Sequence, residues 1–239
     1  MSKFYNEIAK YYDDIFPVQE VKTKLIVDSI KKSSSNILDV ACGTGGYAMQ
    51  LYNRGHNLTA IDLDSKMIDE LKFKSPNIDS QVMNMLDLNK LDKKFDLIYS
   101  LGNSIVHLDS IQSVESFFRS CYSSMNNDGV LIIQIINYDR ILDNEISSLS
   151  TINNKDKNLS FIRNYEYIKD ENKVAFHTLL KVKEELFENT VKLLPIRSKE
   201  VVQSLKNSGF KGIMVYGDFS KSDFDSNKSI ACVVVANKK

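Results

Sequence analysis

The segment that most constrains the fold is Asn36–Gly46, NILDVACGTGG, in which a short apolar run leads directly into closely spaced glycines. This pattern is typical of a buried strand that ends at a ligand-binding loop. Gly43 and Gly45 would let a ligand approach the backbone where a side chain would obstruct it. We therefore predict a strand, a loop and a helix here, with the helix continuing to about residue 53.

Apolar segments of strand length alternate with helical patterns along the chain that follows. The run at Gly129–Ile136, GVLIIQII, is apolar throughout, as expected of a strand buried on both faces. The alternation predicts an α/β fold, a Rossmann-like parallel sheet with helices on both faces. The other predicted elements here are strands at Leu58–Ile61, Ser80–Met83 and Phe95–Ser100, helices at Lys66–Phe73 (N-cap Ser65) and Ser113–Met125, and an earlier helical region at 4–32 that Pro17 interrupts.

The alternation of strand and helix patterns ends after Asn137. Residues 143–158 are rich in Asn, Ser, Lys and Asp and predict an exposed loop. Three strands without intervening helices then predict an antiparallel meander, and the chain ends with a helix and two more strands. These later elements are Leu159–Ile168, Val174–Val182, Thr190–Ile196, Lys199–Asn207 before Gly209, Gly212–Tyr216 and Ser229–Ala236. The predicted organisation is a core with an N-terminal helical cap at 1–142, an antiparallel β insertion at 143–196, and a return to the core sheet at 197–239.

The bulk composition excludes several classes of protein. Lysine plus arginine equals aspartate plus glutamate at 31 each, so a nucleic-acid partner is not expected. Three scattered cysteines and three histidines predict neither a disulfide framework nor a metal site. The amino terminus lacks an apolar signal-peptide core, and no run approaches the ~18 apolar residues of a membrane span. We therefore predict a soluble cytoplasmic protein without a membrane partner.

An acid on the second predicted strand strengthens the interpretation of the glycine loop. Asp62 ends that strand in AIDLD, and an acid at this position suits the ribose hydroxyls of an adenosine ligand. The loop and the acid lie on successive strands, which in a parallel sheet end at the same edge. Together they predict a site for a ligand that contains adenosine.

The same residues resemble a known family. LDVACGTG is similar to the first motif of class I S-adenosylmethionine-dependent methyltransferases, more than to the dinucleotide fingerprint, because CGTG omits that fingerprint's third glycine. NMLDL and FDLIYSLGNSIVHL match the family's next motifs in order. The resemblance implies a seven-stranded methyltransferase sheet, S-adenosylmethionine as methyl donor, S-adenosylhomocysteine as product, and an insertion that covers the acceptor pocket as a lid. The donor-binding residues that it implies are Tyr11, Asp39, Ala41, Gly43, Gly45, Asp62, Leu63, Met67, Asp87 and Leu101.

A narrower resemblance concerns the acceptor. SLGNSIVHL, INYDRIL at 136–142 and YGDF at 216–219 are similar to glycine and sarcosine N-methyltransferases, and sugar-amine N-methyltransferases share the CGTG loop and a tyrosine-rich amino terminus. This implies a small-molecule acceptor, with an amine nitrogen favoured. Ile136 stands where the glycine enzymes carry an arginine that holds the substrate carboxylate. An acceptor without that carboxylate, or one held by Arg163 or Arg197, stays open.

Methyl transfer from a sulfonium needs alignment of the reactants rather than a covalent intermediate, so no catalytic triad is expected. Asn103 and His107, in GNSIVHL, are predicted to position the acceptor or take its proton. Tyr12, together with Tyr11, is predicted to close over the donor. Each of these residues also has a structural interpretation, because tyrosines at helical spacing usually pack and a lone histidine is often structural.

Three alternative functions stay open at this point. The acceptor atom can be the oxygen of a small metabolite, the loop can serve an NAD-dependent oxidoreductase, or the chain can bind the donor without catalysis. Whether the protein is a monomer or a homodimer is not determined by these patterns.

Overall fold

The computed structural model describes residues 8–239, and its strands form two separate sheets. The larger sheet has seven strands in the order β10-β11-β5-β4-β1-β2-β3, and the smaller has four in the order β6-β7-β8-β9. The strands are β1 (Asn36–Val40), β2 (Asn57–Asp62), β3 (Asp79–Val82), β4 (Phe95–Ser100), β5 (Met125–Ile136), β6 (Ser148–Asn154), β7 (Leu159–Ile168), β8 (Lys173–Val182), β9 (Glu185–Leu193), β10 (Lys211–Tyr216) and β11 (Ala231–Asn237).

Helices connect the strands of the larger sheet. They are α1 (Tyr12–Ile15), α2 (Glu20–Asp28), α3 (Gly46–Tyr52), α4 (Ser65–Lys74), α5 (Ile111–Ser124), α6 (Tyr138–Asp143) and α7 (Ser198–Asn207), with 3-10 helices at Ala9–Tyr11, Met85–Leu91, Ile105–His107 and Lys169–Glu171. The predicted N-cap of α4 was wrong by one residue. The carboxylate of Asp64, not Ser65, accepts a hydrogen bond from the Lys66 amide at 2.9 Å.

The predicted Rossmann-like sheet is confirmed. Strands β1 to β5 pair in parallel, whereas β11 is antiparallel to both of its neighbours, β5 and β10. The strand order reverses between β1 and β4, since β2 and β3 extend to one side and β5 to the other. A crevice opens at such a reversal, outside the carboxyl ends of the strands, and it is the usual ligand site of this fold class.

Two apolar layers cover the faces of the sheet. On one face α5 and α7 bury their side chains, for example Phe117, Phe118 and Leu205. On the other face α2, α3 and α4 do so, for example with Leu51 and Leu71. In each helix, apolar residues spaced three and four apart lie on the side that packs against the sheet. Both faces of the sheet are therefore covered, which the continuously apolar strand β5 requires.

The second sheet differs from the predicted meander. The prediction of an exposed loop at 143–158 was wrong, because β6 lies within it and pairs with β7, giving four strands instead of three. The sequence of β6, SLSTINN, is mostly polar, so its strand structure depends on hydrogen bonds to β7 rather than on an apolar pattern. The last strand, β9, also begins and ends earlier than the predicted Thr190–Ile196.

The predicted helical region at 4–32 consists of short pieces. Residues 4–7 of it lie outside the described residues, and α1 and α2 are separated at Pro17. Residues 8–19, here called the N-terminal strap, run between the two sheets. The amide of Asn154 donates to the Asp14 carbonyl at 3.2 Å, and the carboxylate of Asp13 binds the Thr44 hydroxyl and the Lys74 ammonium.

Within residues 8–239, no helix combines the length and the apolar character that crossing a membrane would require.

Candidate active site

A buried carboxyl group lies in the crevice between β1 and β4. Asp39 on β1 is in register with Tyr99 on β4, and the Tyr99 hydroxyl donates to an Asp39 carboxylate oxygen at 2.7 Å. Burial, together with the nearby charge of Asp62, raises the pKa of Asp39 to about 7, although the Tyr99 hydrogen bond opposes the rise. The described ion pairs include no cation for Asp39. The site therefore suits a ligand that brings a positive charge.

The loop after β1 has a backbone that few residues adopt. Ala41 has φ +58° and Gly43 has φ +54°, so even the alanine lies in the left-handed region. The Gly43 amide donates to the Asp62 carboxylate at 2.8 Å, and the Asp64 amide donates to the other carboxylate oxygen at 2.9 Å. Asp62 thus holds the loop in shape, and each oxygen keeps a lone pair for a ligand hydroxyl. Burial raises the pKa of Asp62.

One cleft of about 360 Å³ joins this crevice to the second sheet, within the size range of small-molecule sites. Among the predicted site residues, Tyr12, Asp39, Ala41, Leu101, Asn103 and His107 line it. The strap closes one side, because a Cβ at Gly43 would lie 2.8 Å from the Tyr12 ring. The second sheet forms the opposite wall with Ile152, Phe161, Arg163, Tyr165 and Phe176.

Asn103 holds the loop after β4 in place. Its side-chain oxygen accepts from the Ile136 amide at 3.0 Å, and its amide nitrogen donates to the Tyr138 hydroxyl at 3.2 Å. Its φ of +71° is one that asparagine tolerates better than most residues. Since both ends of the side-chain amide have protein partners, its geometry supports a positioning role rather than proton transfer.

We expect Asn103→Ala to lower the free energy of unfolding by about 2–3 kcal/mol, because the Ile136 amide loses its partner and alanine is strained at positive φ. Urea denaturation measures the loss. Asn103→Gly is the matched control, since it removes the same hydrogen bonds without the backbone strain. Equal stability of all three proteins would contradict the anchoring role.

His107 ends the 3-10 turn at Ile105–His107 and reaches the cleft on the side of the second sheet. The Leu194 amide donates to the Val106 carbonyl at 2.8 Å, which connects this turn to the chain leaving β9. The His107 side chain is solvent-accessible in the cleft, yet the protein around it lowers its pKa, because desolvation disfavours the imidazolium. A neutral imidazole at physiological pH can accept a proton.

Several predicted donor-binding residues lie outside the cleft lining. Tyr11 turns to the second sheet, where its hydroxyl binds the Glu185 carboxylate and its ring contacts Phe187, so the structure does not support closure over the donor by both tyrosines. Consecutive helical residues point about 100° apart, which is why only Tyr12 reaches the cleft. Gly43, Gly45 and Asp62 shape the loop behind the lining. Met67 is buried, Leu63 is 47% exposed, and Asp87 pairs with Lys90 at 2.9 Å.

Sequence patterns did not predict several residues of the cleft, among them Tyr99, Lys22 and Tyr47. Tyr99 is the hydrogen-bond partner of Asp39, and its place in register with that acid on the neighbouring strand was the available signal. Lys22 and Tyr47 also line the cleft, with the Lys22 ammonium 6.0 Å from the Tyr47 ring centre, and burial lowers the pKa of Lys22. They come together only through the packing of α2 against α3.

The two arginines considered for an acceptor carboxylate have different surroundings. Arg197 binds Asp143 at 2.8 Å and 3.1 Å and Asp139 at 3.4 Å, and it is absent from the cleft lining. Arg163 lines the cleft. No group of three or more His, Cys, Asp or Glu side chains in the described part of the chain is arranged to hold a metal ion.

Comparison with known proteins matches residues 37–129 to the model of a methyltransferase domain family. A glycine/sarcosine N-methyltransferase of Aphanothece halophytica is 27% identical over 198 residues, 79% of this chain and 71% of that protein. A glycine/sarcosine/dimethylglycine N-methyltransferase of Actinopolyspora halophila is 25% identical over 232 residues, 93% of this chain. This chain spans only 40% of the Actinopolyspora protein.

Solved structures share the whole fold. A S-adenosylmethionine-dependent methyltransferase from Clostridium acetobutylicum superposes with a TM-score of 0.80 at 20% identity, covering 98% of each chain. A sugar N-methyltransferase from Streptoalloteichus superposes with a TM-score of 0.73 at 16% identity, covering 100% of this chain and 94% of that one. With the glycine loop, Asp39 and Asp62 at the crevice of this fold, these similarities support a class I S-adenosylmethionine-dependent methyltransferase.

Proposed function

We propose that this methyltransferase acts on a small molecule and that the atom it methylates is an amine nitrogen. The observation that carries the proposal is the single cleft that joins the Asp39 crevice to His107 and the second sheet. The groups proposed for the donor and for the acceptor face the same cleft, whose volume of about 360 Å³ is of small-molecule size. We include in this proposal a core of residues 1–142 and 197–239 and a lid of residues 143–196. The similarity to glycine/sarcosine and sugar N-methyltransferases supports nitrogen as the acceptor atom.

The residues at the crevice fit S-adenosylmethionine, which supplies a methyl group on a positively charged sulfur that is also a good leaving group. Asp39, a carboxylate without a described cation, would hold the donor's α-ammonium group. Asp62 would accept from the ribose hydroxyls with its remaining lone pairs. The absence of a side chain at Gly43 leaves room for the Tyr12 ring, which closes this side of the cleft. The predicted donor contacts of Leu63 and Asp87 stay predictions.

The residues on the acceptor side can orient the nucleophile and receive its proton. An amine must be unprotonated to attack the methyl carbon, and the neutral imidazole of His107 can take the proton or hold the lone pair in line. Asn103 fixes the loop that carries this turn, and Tyr12 and the second sheet reduce access of water to the cleft. Alignment is the main contribution expected of these groups.

We expect His107→Ala to lower kcat by about 100-fold at pH 7 with little change in donor affinity, because a positioned proton acceptor contributes roughly 10²–10⁴-fold. Because desolvation lowers the pKa of His107, kcat of the unaltered protein at saturating donor should stay high below the ordinary histidine range as pH falls. The pH dependence of kcat in both proteins measures this. Unchanged turnover of His107→Ala across pH would remove the residue from the chemistry.

Two measurements test the proposed function. Calorimetric titration with S-adenosylhomocysteine should show binding, and NAD serves as the negative control. A donor-consumption screen against amines, amino acids, amino sugars and phenols should then show turnover with an amine. Turnover with phenols alone would favour oxygen as the acceptor atom, and donor binding without turnover of any acceptor would favour a non-catalytic donor-binding protein.

A cytoplasmic location, the absence of a nucleic-acid partner, and a monomer or homodimer as the assembly also belong to this proposal. The balanced charge supports the second of these. Light scattering on the purified protein would measure the assembly state.

A further inference from the structure

We propose that the acceptor carries a carboxylate, and that the guanidinium of Arg163 on the second sheet binds it. This inference rests on the proposed function, since it names the substrate class of the same cleft. The arginine is far in sequence from Ile136, yet both residues line the cleft. The binding group for the carboxylate would thus come from the second sheet rather than from the end of β5.

Arg163 is a charged residue within an apolar row. Alternate residues of a strand share a face, and on β7 the row containing Arg163 also has Leu159, Phe161 and Tyr165, all of which are buried. Phe161, Arg163 and Tyr165 line the cleft. Thr178, the partner of Arg163 in register on β8, is a buried neutral residue. A charge placed in the middle of such a face is costly unless it has a counter-charge.

No counter-charge for this guanidinium exists among the described ion pairs of residues 8–239. One terminal nitrogen donates to the Ser150 carbonyl at 2.7 Å, and the Nε atom is buried without a hydrogen-bond partner. Desolvation lowers the pKa of Arg163, as expected of a charge that is not neutralised. A guanidinium group stays protonated in proteins, so Arg163 cannot avoid the cost of burial by losing its proton. Its charge therefore calls for an anion as a partner.

Neither of the two acids in the cleft lining, Asp13 and Asp39, pairs with Arg163 among the described ion pairs. Asp39 accepts from the Tyr99 hydroxyl, and Asp13 binds Thr44 and Lys74. Arg197, by contrast, has two carboxylate partners of its own. Arg163 is therefore the arginine in the cleft lining that lacks a described carboxylate.

The surroundings of Arg163 also describe the rest of the acceptor. Phe161, Tyr165, Phe176 and Ile136 give the wall an apolar and aromatic surface, while His107 lies in the same cleft. An arginine can bind a carboxylate through two parallel hydrogen bonds, which fixes the direction of the rest of the molecule. The structure thus favours a small amino acid-like acceptor, whose amine extends toward His107 and whose body packs on the aromatic wall.

The first experiment compares each candidate acceptor with its neutral amide. Glycine and glycinamide, sarcosine and sarcosinamide, and phenylalanine and phenylalaninamide are assayed for donor consumption with the unaltered protein, Arg163→Gln and Arg163→Lys. We expect the acid of a pair to exceed its amide about 100-fold in kcat/KM, Arg163→Gln to abolish that preference, and Arg163→Lys to restore part of it. Arg119→Gln, a surface change on α5, is the matched control.

The second experiment needs no turnover. Protein saturated with S-adenosylhomocysteine is titrated with benzoate and with benzamide, which differ in charge but not in shape. Saturable binding of benzoate alone, weakened at least about tenfold in Arg163→Gln, supports the inference. The inference would be overturned if the amides matched the acids in turnover. It would also be overturned if benzoate did not bind, or if Arg163→Gln left benzoate binding unchanged. If the unaltered protein did not bind S-adenosylhomocysteine, the proposed function itself would be contradicted. Failure of the proposed function and failure of the carboxylate inference are therefore distinguishable.

Discussion

Replacing Asp39 with asparagine is expected to stabilise the donor-free protein at pH 8 while it weakens donor binding. Burial raises the pKa of Asp39 from 3.8 to about 7. Between these two pH values the folded protein holds a proton on Asp39 that the unfolded chain has lost. The stability associated with that proton is fully present below pH 4 and is lost as pH rises toward 7. A difference of this size corresponds to roughly 4 kcal/mol at pH 8.

Asparagine avoids this loss because it is neutral at every pH and can still accept the Tyr99 hydrogen bond. Asp39→Asn should therefore exceed the unaltered protein in free energy of unfolding by about 2–4 kcal/mol at pH 8 and by little at pH 4. Urea denaturation across this pH range measures the difference. A variant that is less stable at pH 8 would show that the Asp39 carboxylate is compensated in the folded state.

Donor binding should show the opposite behaviour. Since the α-ammonium group of the donor needs the ionised carboxylate, affinity of the unaltered protein for S-adenosylhomocysteine should fall as pH drops below about 7. Asp39→Asn should bind about 10- to 100-fold more weakly at pH 8, with a flatter pH profile. Calorimetric titration at several pH values measures both. Equal pH profiles for the two proteins would show that Asp39 does not hold the ammonium group.

The second large effect is expected at Gly45, which precedes α3. A Cβ at this position would lie 2.3 Å from Cδ1 of Leu71 on α4, and the residue has φ +77°. We expect Gly45→Ala to lower the free energy of unfolding by about 3 kcal/mol, from overpacking against Leu71 and from strain of alanine at positive φ. It should also weaken donor binding, because the loop must shift away from α4.

Gly55 provides the matched control for Gly45. Its φ is +89°, yet no atom lies within 4 Å of an added Cβ. Gly55→Ala should cost only the backbone strain, about 1–2 kcal/mol, and leave donor affinity unchanged. The difference between the two variants in urea denaturation isolates the packing against Leu71. Equal losses at both positions would contradict the close approach of the loop and α4.

The loop and the acids that are proposed to bind the donor could be located from the sequence because their signals are local. In NILDVACGTGG the strand, the loop glycines and Asp39 are neighbours in the chain, and Asp62 ends the adjacent strand. Alternating strand and helix patterns also predicted the sheet, since apolar periodicity depends on which face of each element is buried. Elements with a weak apolar pattern, such as β6, were missed for the same reason.

The acceptor half depended on the tertiary structure, because its residues are distant in sequence. The sequence pattern could not decide which of Tyr11 and Tyr12 reaches the cleft, and the rotation of the helical segment decided it. Nor could it decide between Arg163 and Arg197. The carboxylates of Asp139 and Asp143 bind Arg197 away from the cleft. The chain's local chemistry thus determined the fold and the donor loop. Strand register and the packing of the second sheet against the core decided which side chains line the cleft, since contacts between distant residues form only when the whole chain has folded.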